Sequence, residues 1–168
     1  MPASKPATAR ASKAKLAKAT LAVPFATLTD LLGKTLDDPA VAAAFALAGK
    51  VTIKPDFAIA KDAGFDFTIS RPQGGSRKVL TSFFLFPEGQ DKHRGFADLP
   101  TGFVWGTRAE LLARRPAPPV TWKIGPGRVP ASTEDPTWDQ WTVHGLHLTV
   151  TYTKGSMRHI NVRPAPGA

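Results

Sequence analysis

Cysteine is absent from the chain, which excludes disulfides, thiol catalysis, thiolate metal sites and acylation as a lipoprotein. Tyrosine occurs once and methionine twice, against ten phenylalanines and four tryptophans, so aromatic packing is expected to dominate the core. No stretch approaches the roughly 20 apolar residues that a spanning helix needs, and no contact with a membrane is expected. A basic stretch followed by the apolar run Ala19 to Leu28 has the outline of an export signal. Pro24 interrupts that run and the basic region is long, so the expected location is the cytoplasm, with export the weaker alternative.

What is present is ordinary for a globular protein: 42% hydrophobic and 21% charged residues in 168. That length suits one domain with a real core. The formal charge of +9 is unevenly placed. Lys5, Arg10, Lys13, Lys15 and Lys18 lie in the first twenty residues with no acid among them. The remaining seventeen basic and thirteen acidic side chains leave the rest of the chain at only +4. Residues 1–22 read as a disordered basic tail, too polar and simple to offset the entropy of ordering. Arg10, Lys13, Lys15 and Lys18 have the charge to follow phosphates non-specifically, but no aromatics are interleaved for base stacking. A solubilising role is the plainer explanation.

A segment occurs twice. Thr27-Leu28-Thr29-Asp30-Leu31-Leu32-Gly33 returns eighty residues later as Thr107-Arg108-Ala109-Glu110-Leu111-Leu112-Ala113. Both copies read as a helix start, the threonine capping a free N–H and the acid three residues on facing the positive helix end. The expected helices run from Thr27 to Leu32, from Asp38-Pro39 (cap and first turn) to Gly49, and from Thr107 to about Arg114. Val41, Ala44, Phe45 and Ala48 are helically spaced on the second. Strands are expected at Val51 to Ile53, Phe65 to Ile69 and Leu80 to Phe86, the last two joined by the Gln73-Gly74-Gly75-Ser76 turn. Pro87 to Gly102 is a polar connection. The six prolines from Pro116 to Pro136 read as a loop holding a short strand, Val120 to Ile124. Leu146, Leu148, Val150 and Tyr152, with Ile160 and Val162, form a final hairpin around Lys154-Gly155-Ser156. The fold class is therefore α+β: a tandem helix-plus-antiparallel-sheet repeat forming one layered domain over residues 23–164, with halves at about 27–103 and 104–164.

His144, His147 and His159 are the best metal candidates, and register argues against them. Pairing Leu148 with Val162 and Val150 with Ile160 puts the apolar side chains on one face. His147 then faces Arg163 and His159 faces Thr151, about 13 Å apart along the strand and far beyond the roughly 2.1 Å reach of a shared zinc. Solvent-facing strand histidines are expected instead. Asp91-Lys92-His93-Arg94 offers acid, base and two cations, but the sequence names no second group converging on it, so a charged loop tip is the expectation. Gly125-Pro126-Gly127-Arg128 lacks the flanks of a phosphate loop. Glu134, Asp135 and Asp139 lack calcium-loop spacing and read as a solvated face. No catalytic residue, metal or cofactor is expected. Trp105, Trp122 and Trp138 are candidate partner anchors, because tryptophan is enriched at interface hot spots. With Trp141 they can equally be core.

One resemblance follows from motif order. Leu80-Thr81-Ser82-Phe83-Phe84-Leu85-Phe86-Pro87-Glu88-Gly89, then Phe96-Ala97-Asp98-Leu99-Pro100-Thr101-Gly102-Phe103, then Thr107-Arg108-Ala109-Glu110-Leu111-Leu112, then Trp138-Asp139-Gln140-Trp141 before the final hairpin, resemble small immunity proteins of bacterial polymorphic-toxin and contact-dependent systems. The second half is also similar to the helix-plus-sheet unit of BamE/SmpA-like and β-lactamase-inhibitor-like proteins. The likeness covers about Leu28 to Val162. It departs at Ala113-Arg114-Arg115, where that family ends its helix in glycine, and in the long proline-rich insert. It implies a non-enzymatic protein that binds a cognate toxin, encoded by the adjacent gene, stoichiometrically. Such families diverge at their toxin-facing surfaces, so no binding residue carries over. The alternatives are a nucleic-acid-associated protein tethered by its tail, and a BamE-like scaffold, which the missing acylation cysteine weakens.

Overall fold

The computed structural model describes residues 22–115, 117–123, 129–130 and 138–167; residues 1–21 of the basic tail, Gly125-Pro126-Gly127-Arg128, and Glu134 and Asp135 lie outside them. Helices α1 (Phe25–Asp30) and α2 (Pro39–Ala48) come first. Strands β1 (Thr52–Ile53), β2 (Phe57–Ala60), β3 (Phe65–Ser70) and β4 (Val79–Leu85) follow. Helix α3 (Arg108–Arg114) then precedes β5 (Val120–Lys123), β6 (Val129–Pro130), β7 (Trp138–Val143), β8 (Leu146–Thr153) and β9 (Ser156–Pro164). The described strands make one sheet in the order β1-β2-β3-β4-β9-β8-β7-β5-β6, with every pairing antiparallel. The fold is thus α+β, and no described helix is long and apolar enough to cross a membrane.

Alternation decides which face of the sheet is covered. Phe65, Phe67 and Ile69 of β3, Leu80, Phe83 and Leu85 of β4, Leu148, Val150 and Tyr152 of β8 and Met157, Ile160 and Val162 of β9 are all buried. Helices close over that inner face. Phe25 of α1 meets Phe83 edge-on at 5.8 Å, and Phe45 of α2 meets Phe67 at 6.2 Å. Leu28, Val41, Ala44, Ala48 and Leu111 complete the core. The rings of Phe65, Phe67 and Phe83 run on in contact at 5.8 and 5.4 Å, so phenylalanine does dominate this interior.

Helix α2 starts as its sequence dictates: the Asp38 carboxylate accepts from the Ala40 amide at 2.8 Å, and Pro39 occupies the first turn. Helix α3 has the full capping box, with Thr107 and Glu110 each accepting from the other's backbone N–H. Helix α1 departs from expectation. It begins at Phe25 behind Pro24, without any side-chain cap, and ends at Asp30. Thr27 is therefore inside the helix, and Leu31 and Leu32 lie in the turn that follows it. The apolar anchor Val23, 2% exposed, and the bond from the Phe25 amide to Asp98 at 2.7 Å fix the earlier start.

The sheet also exceeds its forecast. Phe57–Ala60 pairs with β3, although two alanines gave it no strand signature. The final hairpin has the expected register, Leu148 to Val162 and Val150 to Ile160. Its loop is one residue shorter than expected: Thr153 pairs with Ser156 around Lys154 and Gly155, both at positive φ. An extra residue at Arg158, where the register shifts, restores the pairing. Gly64 is required by close approach. At φ +79° any Cβ there would lie 2.6 Å from the Phe96 amide nitrogen.

Candidate functional site

The α-helices leave the opposite face of the sheet uncovered, the Gln90–His93 turn lies over it at Asp66, and register determines what else stands on it. Asp66 is opposite Phe84, Phe84 opposite Asn161, Asn161 opposite Thr149, and Thr149 opposite Gln140. One step along, His159 is opposite Thr151 and Thr151 opposite Trp138. These side chains are half-buried, so the face is polar with aromatic inserts. The ring of His159 meets Phe84 edge-on at 5.2 Å and Phe86 at 6.1 Å.

His159 is therefore not the solvent-facing histidine that strand alternation suggests. Burial among those rings pulls its pKa down to about 4, Arg158 pushes it the same way, and Asp91 opposes them. His147 does stand opposite Arg163. Partial desolvation, and then that guanidinium, lower its pKa, and its Nδ1 is 3.3 Å from the Gln140 amide nitrogen. His144 sits exposed at φ +48° in the two-residue turn between β7 and β8. Among the described residues no three histidine, aspartate or glutamate side chains group as metal ligands.

Asp91, Lys92 and Arg94 are exposed as a charged loop tip should be, but His93 is not. His93 is 4% exposed. Its ring stacks on Phe86 at 3.9 Å with 15° between planes. Nε2 is 2.8 Å from Oδ1 of Asp66, and Nδ1 is 3.1 Å from the Gln90 carbonyl. Asp66 is thus the converging acid that the sequence failed to name. The Gln90 carbonyl and the Asp66 carboxylate thus occupy both ring nitrogens. No ring nitrogen is left facing a substrate, and the couple serves to clamp the Gln90–His93 turn onto β3.

Asp139 also departs from expectation. It is fully buried on the inner face of β7, not part of a solvated acidic surface. Arg108 binds it through two nitrogens at 2.7 and 3.2 Å, Thr121 donates at 2.7 Å and Tyr152 at 3.0 Å. Four donors around one carboxylate satisfy a charge that would otherwise be costly to bury. Burial, followed by the neighbouring carboxylate, raises the Tyr152 phenol far above its ordinary value.

The tryptophans divide. Trp105 is half-buried, packs against the core and donates to the Phe96 carbonyl at 2.7 Å. Trp141 is core, 3% exposed, edge-on to Phe103 at 5.5 Å. Trp138 opens β7 on the uncovered face, half-buried. The backbone of Trp122 pairs with that of Trp138; its side chain lies outside the described part. Arg10, Lys13, Lys15 and Lys18 lie outside it too.

A cavity of about 470 Å³ opens where α1 meets the β7–β8 turn, lined by Phe25, Thr29, Leu99, Pro100, Val143 and Leu146 among others. A second, of about 460 Å³, lies at the β1–β2 edge and is lined by Lys50, Thr52, Lys54, Ile59, Lys61, Asp62 and Lys92. Sequence reading missed this second site. Lys50, Lys54 and Lys61 are close in sequence, but nothing in it ties Lys92 to them. Comparison of the chain with protein-family models, with curated proteins and with solved structures finds no match in any of the three.

Proposed function

We propose that this chain is a non-enzymatic, cytoplasmic immunity-type protein that binds a cognate bacterial toxin and occludes its active site, using the uncovered face of its sheet. The observation that carries the reading is that face itself: a broad, rigid surface where Phe84, His159 and Trp138 stand half-buried among threonine, asparagine and glutamine. Aromatic inserts in a polar field are what interface hot spots are made of. Engagement of both His93 nitrogens and all of the Asp139 oxygens in internal bonds supports binding over acid–base chemistry. The motif order supports the family assignment.

We also infer that the two halves are copies of one unit. Each runs from helix to antiparallel strands, and their last strands, β4 and β9, meet side by side. The cap mismatch between Thr27 and Thr107 limits the likeness to topology. Superposing residues 27–103 on 104–164 should align β3 and β4 with β8 and β9; a best fit in any other strand order refutes the duplication.

The test of function is co-expression with the product of the adjacent gene. A stable one-to-one complex and restored growth are expected, with protection scaling with stoichiometry. Trp138→Ala and Phe84→Ala should weaken the complex by about 2 kcal/mol each, the scale of a hot spot. A neighbour that is harmless alone, or that kills equally well with this chain present, refutes the reading.

A further inference from the structure

The lysine-lined cavity at the β1–β2 edge has no part in the aromatic face or the core. Four ammonium groups, on Lys50, Lys54, Lys61 and Lys92, share its wall with one carboxylate, Asp62. Among the described residues, the ion pairs of lysine and arginine are Lys34 with Asp38, Lys78 with Asp56 and Arg108 with Asp139. None of the four cavity lysines is in that set, and their ammonium groups outnumber the carboxylate on the wall by three.

Bonds between two turns fix the side of the wall that carries Lys61 and Lys92. Lys61 Nζ donates to the Asp91 carbonyl at 3.0 Å, and the Arg94 amide donates to the Lys61 carbonyl at 2.8 Å. These bonds tie the short turn Lys61–Ala63 to the turn Gln90–Lys92. His93, clamped between Asp66 and Phe86, fixes the second turn from beneath. Asp91 and Lys92 are held at φ +50° and +65°, a left-handed conformation that side-chain-bearing residues rarely adopt and that gathers at ligand sites. Across the cavity Thr52 and Ile59 are directly paired, adding one hydroxyl and one apolar contact.

We propose that this cavity binds a small molecule bearing consecutive phosphates, of the nucleoside diphosphate or pyrophosphate class. Charge and shape select that chemistry. A carboxylate brings one negative charge and pairs best with the planar fork of arginine, which is missing from this wall. Lysine is a compact point charge suited to phosphate oxygens. Adjacent phosphates concentrate several charges in one place, whereas a nucleic-acid backbone spreads them along a strand. The volume exceeds what a bare phosphate fills and falls within the range of small-ligand sites, and Ile59 offers an apolar wall to an organic portion.

The experiment is calorimetric titration of the full chain, in about 0.15 M salt, with inorganic pyrophosphate, ADP and a short oligothymidylate. Saturable one-to-one binding of pyrophosphate or ADP is expected, tighter for ADP if the organic portion is recognised and equal if it is not. The double variant Lys50→Gln/Lys54→Gln should weaken it by about tenfold or more. The charge-matched control Lys154→Gln/Arg163→Gln, on the far hairpin, should leave it within about twofold. All four positions are exposed, and an unchanged melting temperature in both variants verifies folding. Three results overturn the proposal: no saturable binding, equal loss in the control, or oligothymidylate binding tighter than either phosphate probe with loss in the cavity variant.

Discussion

Asp139 and His159 show how far a single residue's environment outweighs its type. The Asp139 carboxylate is buried at no exposure, and its charge is tolerated because Arg108, Thr121 and Tyr152 surround it. Removing the cation strands that charge, so Arg108→Ala should destabilise the protein by about 3–5 kcal/mol. Tyr152→Phe removes one bond to a charged acceptor and should cost about 1.5–3 kcal/mol. Urea unfolding measures both, and equal costs would contradict this ranking. His159 makes stability depend on pH. Its native pKa is about 4, against 6.5 in its ordinary state. Above 6.5 the ring is neutral folded or unfolded, and its contribution is complete. Between 6.5 and 4 only the unfolded chain takes up the proton, so stability falls as pH falls through that window, by at most about 3 kcal/mol. His159→Gln should flatten the loss between pH 7 and 4.5, read from urea midpoints; an unchanged slope would assign it to other groups.

At the scale of elements, the two helix starts that look alike in sequence are held differently. Thr107 caps α3 through a reciprocal pair with Glu110, and the α3 entry is stitched to the β8–β9 turn by Arg108 N–H to the Gly155 carbonyl and Met157 N–H to the Gly106 carbonyl. Thr27 lies within α1 and caps nothing. Thr107→Ala should therefore cost about 1 kcal/mol, while Thr27→Ala, which also removes a β-branched residue from a helix, should be near neutral. Thermal melts of the two variants separate the cases, and equal losses would restore a capping role to Thr27.

For the whole molecule, the basic tail and the layered domain are separable on sequence grounds. Deleting residues 1–20 removes five of the 22 basic side chains and, apart from alanine and proline, only Met1 and Leu16 among apolar ones. The melting temperature should stay nearly unchanged, and any affinity for DNA should fall with a flatter salt dependence. Strong DNA binding that survives the deletion, measured by salt-series titration, would transfer that activity to the folded domain and count against the toxin-binding reading.

Local chemistry was legible in the chain. Asp38-Pro39 and Thr107-x-x-Glu110 each carry their own cap. Leu148, Val150, Ile160 and Val162 allow one register that keeps apolar side chains together, and Gly74-Gly75 marks the turn between Phe65–Ile69 and Leu80–Phe86. These signals sit within a few residues of what they govern. The α+β class follows from them. Only the tertiary structure decided the rest, because it depends on groups distant in sequence. Phe57–Ala60 becomes a strand because β3 offers it a partner. His93 is buried because Asp66, 27 residues away, reaches it, and Asp139 because Arg108 does. Lys92 joins Lys50, Lys54 and Lys61 only once two turns are bonded together. Burial and charge neighbourhood are properties of the assembled sheet, and no window of sequence contains them.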